Sequence, residues 1–363
     1  MRVFQNSGLY RAYFKRLAAL RERRHGFSAW TKAFLDDRYG AAHFLQPVLA
    51  GDPAAFFTNG DDEEAQRLWA GEQGLPSGTS LEEILLAQIE HHRTEVFYNL
   101  DPLRYGSDFV RKLPDSVRLS FAWRAAPSPG ADFGAYDSVL CNFPSILEDY
   151  RQRGWRAAYF SPAHDPLMDR FAAREDRPVD VLFVGGYTRH HRRRGELLEA
   201  VAALSGEFNV RFHLDNSRMT RLAESPLGHL LPLGQHRRPA AIRSIAHAPV
   251  FGLDLYEALS SAKIVLNGAI DMAGLDRGNM RCFEAMGCGA LMVSDTGNYP
   301  EGMVHERNMI AYHGTSDAVQ QIRTALQQPA RLQQLARAGH SLMSTVYSKA
   351  EQWRAFVALV EAT

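Results

Sequence analysis

The residues best suited to chemistry fall in one run, DRGNMRCFEAMGCG, positions 276 to 289. It holds two carboxylates, Asp276 and Glu284, the cation Arg281, and a Gly278-Asn279 pair just ahead of a helical pattern. Glu284 sits mid-helix among apolar neighbours, where an ionised carboxylate needs a partner. Two partners are open. One is Arg281, three residues earlier on the same face. The other is the pair of hydroxyls on a ribose, because a carboxylate accepts hydrogen bonds and donates none. In that second case the glycine-lined helix start would receive phosphate.

The flanking sequence supplies the elements that must hold these groups. Lys263 to Leu266 is a short apolar strand closed by Asn267 and Gly268. A polar loop runs through Asp271, Gly274, Asp276 and Gly278, and Asn279 is positioned as N-cap of a helix starting near Met280. Met280, Phe283, Met286 and Gly287 share one face of that helix. Gly287 and Gly289 suit its end, and Ala290 to Val293 begins the next buried strand.

A second basic stretch has the same logic. Val179 to Val184 reads as a strand ended by Gly185-Gly186, followed by YTRHHRRR (187–194), Gly195 and a helix over Glu196 to Leu204. Close backbone approach followed by several cations suits a diphosphate. The candidate cations are Arg194, just ahead of Gly195, and Arg189 or Arg192 earlier in the run, and which of them points inward is open; a solvated basic turn is the alternative. The run lacks both G-x-G-x-x-G and a Gly-Lys-Ser/Thr ending, so it is neither a dinucleotide fingerprint nor a P-loop. His190-His191 lack an acid at metal spacing, so no metal is expected.

On these residues the chain resembles the retaining group 1 type of GT-B glycosyltransferases. Their donor motif places an acid, seven residues and a Glu before a small-residue turn, matched by Asp276 and Glu284. Gly278, Asn279, Arg281, Phe283, Glu284, Ala285 and Gly289 resemble the C-terminal domains related to CgeB proteins. The resemblance implies two doubly wound, Rossmann-like α/β domains facing a cleft. It implies transfer of a sugar from a nucleotide-sugar, with retention and without a metal or other cofactor. Glu284 would hold the ribose and Asp276 the sugar hydroxyls. Gly185, Gly186, Arg189, Arg194, Gly278, Asn279 and Arg281 would surround the diphosphate. The segment with Asp254, at the start of a G-x-x-x-Y-x-A-L helix, would read the base. Residues 1–170 would form the acceptor-side domain and 178–345 the donor-side domain, with 346–363 returning to the first. Retaining relatives often place a His after a mid-domain strand of the first domain; here that strand ends in Trp123-Arg124. No catalytic residue is therefore assigned in the first domain.

The remaining sequence agrees with this outline. Strand patterns at Arg2 to Gln5, Glu95 to Leu100, Val117 to Trp123, Ser138 to Asn142 and Arg156 to Phe160 alternate with helical ones, as in a mostly parallel sheet. Ser80 and Glu83 form a capping box for a helix over Leu81 to His92. Lys plus Arg is 41 and Asp plus Glu is 41, so there is no global drive toward nucleic acid. Arg11, Lys15, Arg16, Arg21, Arg23 and Arg24 form a basic helix, read as a solvated face or as a contact with lipid phosphates or an anionic acceptor. The three cysteines, Cys141, Cys282 and Cys288, fit core packing. No run of about 20 apolar residues and no signal-peptide pattern is present, so the cytoplasm is the expected location. The acceptor is left as carbohydrate, lipid-linked or protein. A non-catalytic nucleotide-sugar-binding protein and a GT-B sugar-nucleotide epimerase are the alternatives.

Overall fold

The computed structural model describes residues 1–187, 192–215, 217–268 and 273–363, without the side chains of 229 and 235. The chain divides into two compact units. The first contains Met1–Ala163, the short stretch ending at Asp276, and Tyr347–Thr363; the second contains the rest of the chain between His164 and Val346. The break at Ala163 gives the helix Met168–Ala172 to the second unit.

In the first unit six parallel strands, β1 (Val3–Ser7), β2 (Ala55–Asn59), β3 (Val96–Asn99), β4 (Leu119–Trp123), β5 (Ser138–Cys141) and β6 (Ala157–Tyr159), lie in the order β2-β1-β3-β4-β5-β6. The Ser80–Glu83 capping box is present. Ser80 Oγ accepts from the Glu83 N–H at 3.2 Å, and a Glu83 carboxylate oxygen accepts from the Ser80 N–H at 2.8 Å. The C-terminal helix Lys349–Ala362 packs on this sheet through Phe356, whose ring meets Tyr98, Phe121 and Phe160. Lys349 is buried beside it and donates to the carbonyls of Ala42 and Phe44 at 3.1 and 2.7 Å. The basic helix is only partly a solvated face: Arg16 pairs with Asp37 at 2.5 Å, and Arg21 pairs with Asp62 in the interior.

In the second unit β7 (Val179–Gly185), β8 (Val210–Leu214), β9 (Ala246–His247), β10 (Ala262–Asn267), β11 (Leu291–Asp295) and β12 (Ile310–Tyr312) pair in parallel, in the order β12-β11-β10-β7-β8-β9. Counted within the unit, this is the 3-2-1-4-5-6 order of a dinucleotide-fold sheet. Helices cover both faces. Val181, Phe183, Ile264 and Leu266 enter one core, and Leu182 and Val265 enter the other. The two sheets are those of a two-domain α/β fold of the GT-B kind. The strand order reverses between β7 and β10, and parallel sheets bind ligands beyond the carboxyl ends of the strands at such a point. Gly185 ends β7 there, and Asn267 and Gly268 end β10. Among the described residues no helix is long and apolar enough to cross a membrane.

Candidate functional site

The motif helix, Met280–Gly287, follows β10, and its residues from Cys282 to Gly287 are all buried. Gly278 enters it with φ of 118°, a conformation open to glycine. Asn279 holds the N-cap position with extended backbone but makes no side-chain cap. Its amide instead pairs with Asn267: Asn279 Nδ2 donates to Asn267 Oδ1 at 3.1 Å, and the reverse bond spans 3.3 Å. The expected cap is thus replaced by a tie between the helix start and the end of β10. Asn279 therefore takes none of the first N–H groups of the helix, which lie at the positive end of its dipole.

Glu284 is 3% exposed. Its Oε2 accepts from Arg281 Nη1 at 2.6 Å, so the ion pair anticipated from the sequence exists, with Glu284 buried and Arg281 partly exposed. Among the described residues the other carboxylate oxygen receives no hydrogen bond. Burial raises the Glu284 carboxyl above its usual range, and Arg281 opposes that shift. A buried acid with one oxygen committed and one unmet can accept hydroxyl donors.

Arg194 is placed by the helix Arg192–Ala202, which begins earlier than its apolar pattern indicated and so carries the cation in its first turn. Its guanidinium carbon lies 5.0 Å from the centre of the Phe183 ring. Its Nε is buried and has no hydrogen-bond partner. A Cβ on Gly185 would stand 2.6 Å from its Nη2, so only glycine at the end of β7 gives the guanidinium this position. Burial holds Arg194 below the ordinary guanidinium value; Tyr312 and Asp215 favour its charge and Arg281 disfavours it. Two cations, Arg194 and Arg281, therefore converge near the switch point. Tyr312, at the end of β12, donates to the Asn267 carbonyl at 3.3 Å and flanks the same place.

The other sequence-derived residues lie as follows. Gly186 follows the end of β7. Arg189 lies outside the described residues. Arg192 is turned to solvent and pairs with Glu196 at 2.8 Å, which leaves Arg194 as the inward one among the described arginines of this run. Asp254 is exposed in the first turn of the helix Gly252–Ser260. Asp276 groups with the first unit, where its Oδ2 accepts from the Ser145 N–H at 2.7 Å and its backbone N–H bonds Ala273 O at 2.9 Å. It caps the helix Pro144–Gln152 from outside, a structural task the motif alone did not show.

Asn267, Gly268 and Tyr312 are the site residues the sequence reading did not single out. Asn267 and Gly268 had appeared only as the close of a strand. Their place at the switch point depends on strand order, and Tyr312 ends a strand of three residues.

Comparison with known proteins bears on this arrangement. Residues 192–358 match the family pattern of glycosyl transferase-like proteins. None of the curated protein sequences compared matches the chain. The fold is similar to that of HepE from Anabaena, solved in complex with UDP and glucose, at 13% identity and a TM-score of 0.58, with both chains fully covered. A glycosyltransferase from Rickettsia africae is similar at 9% identity and a TM-score of 0.54, covering 98% of this chain and 97% of its own. Sucrose-phosphate synthase from Thermosynechococcus elongatus is similar at 12% identity and a TM-score of 0.53, covering 99% of each.

Proposed function

We propose that the chain is a glycosyltransferase that takes its sugar from a uridine-diphosphate sugar bound at the β7/β10 switch point of the second unit. The observation that carries this reading is that one unit holds both Arg194, an inward and poorly solvated cation, and Glu284, a buried carboxylate with one oxygen unmet among the described residues. The diphosphate would sit beside Gly185, between Arg194 and the start of the motif helix, whose N–H groups the Asn279 side chain does not take. The ribose hydroxyls would donate to Glu284. The base class follows the UDP in the HepE structures.

Sugar transfer leaves a nucleoside diphosphate carrying extra negative charge. Positive groups already fixed around it lower the barrier, because they need no reorganisation as the charge develops. Arg194, the helix dipole and Arg281 supply that charge from protein groups, which supports transfer without a bound metal or other cofactor. Retention of configuration and a hexosyl donor follow from the motif resemblance, and they and a cytoplasmic location belong to the same proposal. The acceptor is a carbohydrate, a lipid-linked sugar or a protein, reached either free or at a membrane surface.

The reading is tested by incubating the chain with UDP-glucose, UDP-N-acetylglucosamine, GDP-mannose and ADP-glucose. Slow release of free sugar and nucleoside diphosphate from one donor supports the transferase. Nucleotide binding with no turnover in the presence of acceptor mixtures points to a binding protein, and acceptor-independent conversion of the intact donor to an epimerase.

A further inference from the structure

Away from the switch point, three side chains of the second unit converge: His164, Asp169 and His340, their nearest ligand atoms all within 4.8 Å of one another. His164 is the first residue of the unit and is 2% exposed. Asp169 lies on the helix Met168–Ala172 and His340 on the helix Pro329–Thr345. Asp169 Oδ1 is 2.8 Å from His164 Nε2 and 3.5 Å from His340 Nε2.

The proton positions make this arrangement unusual. His340 Nδ1 lies 2.9 Å from the Gly287 carbonyl oxygen. A carbonyl only accepts, so Nδ1 carries the proton, and in a neutral ring Nε2 is a bare lone pair. In that neutral ring the lone pair would face a carboxylate oxygen, and two acceptors repel unless a proton or a metal ion lies between them. On the other side, His164 Nδ1 is buried with no hydrogen-bond partner, so among the described residues its ring hydrogen-bonds through the Nε2 contact with Asp169 alone. The Nδ1–H to carbonyl bond on His340 is also the bond that metal-ligating histidines use to fix their ring.

We propose that His164, Asp169 and His340 bind a divalent metal ion of the zinc type, with the fourth position open to water. Two imidazole nitrogens and one carboxylate suit that ion, whose ligand atoms lie roughly 3.3 Å apart at bond lengths near 2.0–2.1 Å. The observed 2.8 and 3.5 Å separations bracket that spacing. The ion would tie the start of the second unit to the C-terminal end of the motif helix, through the Gly287 carbonyl. Packing there is tight: a Cβ on Gly287 would stand 2.5 Å from Met168 Sδ and 2.9 Å from His164 Nδ1. The role is structural and independent of the proposed sugar transfer.

The test uses the full chain without an affinity tag, stripped with chelator. Zn²⁺ is titrated by calorimetry, and Co²⁺ by its visible absorption. One equivalent should bind, with cobalt bands of low coordination number. Asp169→Asn and His340→Ala, at 55% and 26% exposed side chains, should keep the fold and each weaken binding at least about tenfold. Absence of saturable binding in the wild-type chain, or binding unchanged in both variants, would overturn the proposal. UDP binding by the stripped protein is read separately, so failure here leaves the donor-site reading intact.

Discussion

Arg194 and Gly185 are matched in space: the end of β7 carries no side chain at the point where the guanidinium lies, and a methyl group there would come within 2.6 Å of Nη2. The glycine makes room for the cation, and the ring of Phe183 supports it from β7. Gly185→Ala should therefore displace Arg194 without removing its charge. UDP affinity is expected to fall about tenfold, one charge-assisted hydrogen bond, while the melting temperature changes little. Thermal-shift titration checks this, and unchanged affinity would mean that the guanidinium position is irrelevant to the ligand.

Glu284 has two roles that substitution can separate. Glu284→Gln keeps the shape but removes the charge paired with Arg281, and Glu284→Ala removes both. Each leaves a buried cation without its partner, so a stability loss of about 3 kcal/mol is expected by chemical denaturation. UDP binding should weaken by about 1.5–3 kcal/mol in the folded variants. If the destabilised variants bind UDP as the wild type does, the carboxylate serves the ion pair alone.

Asp276 is expected to behave differently from Glu284, although both belong to the same sequence motif. It anchors its loop to Ser145 at the start of the helix Pro144–Gln152. Asp276→Ala should cost about 1 kcal/mol of stability, as the loss of a helix cap does. UDP affinity should stay within about twofold of wild type. A large loss of affinity with unchanged stability would return Asp276 to the donor site.

Asp61 gives a pH signature confined to the first unit. Burial, aided by neighbouring Asp101 and opposed by the Leu9 N–H, pushes its carboxyl up to about 6. The native state then takes a proton that the unfolded chain refuses until a lower pH, so Asp61 makes the wild type gain stability as pH falls from about 7 toward 4. Asp61→Asn removes the charge while retaining an acceptor for Leu9. It should raise stability at pH 7 by about 1 kcal/mol, after allowance for the partial exposure of the group, and flatten this part of the profile. Denaturation midpoints at several pH values decide it; parallel wild-type and variant profiles would refute the shift.

Much of this architecture is written locally. The strand ends at Gly185 and Asn267, the Ser80 capping box and the buried motif helix follow from apolar periodicity and punctuation, which short-range physics controls. What the sequence could not supply depends on tertiary neighbours. Asn279 looked like a cap because its type suits one, yet Asn267, twelve positions earlier, competes for its side chain. Asp276 stood eight residues from Glu284, but its loop packs with the first unit. His164 is buried against groups five and more than 170 positions away, which no local pattern announces. Tyr312 reaches the site only because β12 is added at the edge of the sheet.

The donor-site account is tested most directly by calorimetric titration of UDP and of uridine into the wild-type chain and Arg194→Ala. UDP should bind the wild type, and the substitution should weaken UDP about tenfold or more while altering uridine less than about twofold. Equal losses for the two ligands, or a wild-type chain that binds no UDP, would contradict it.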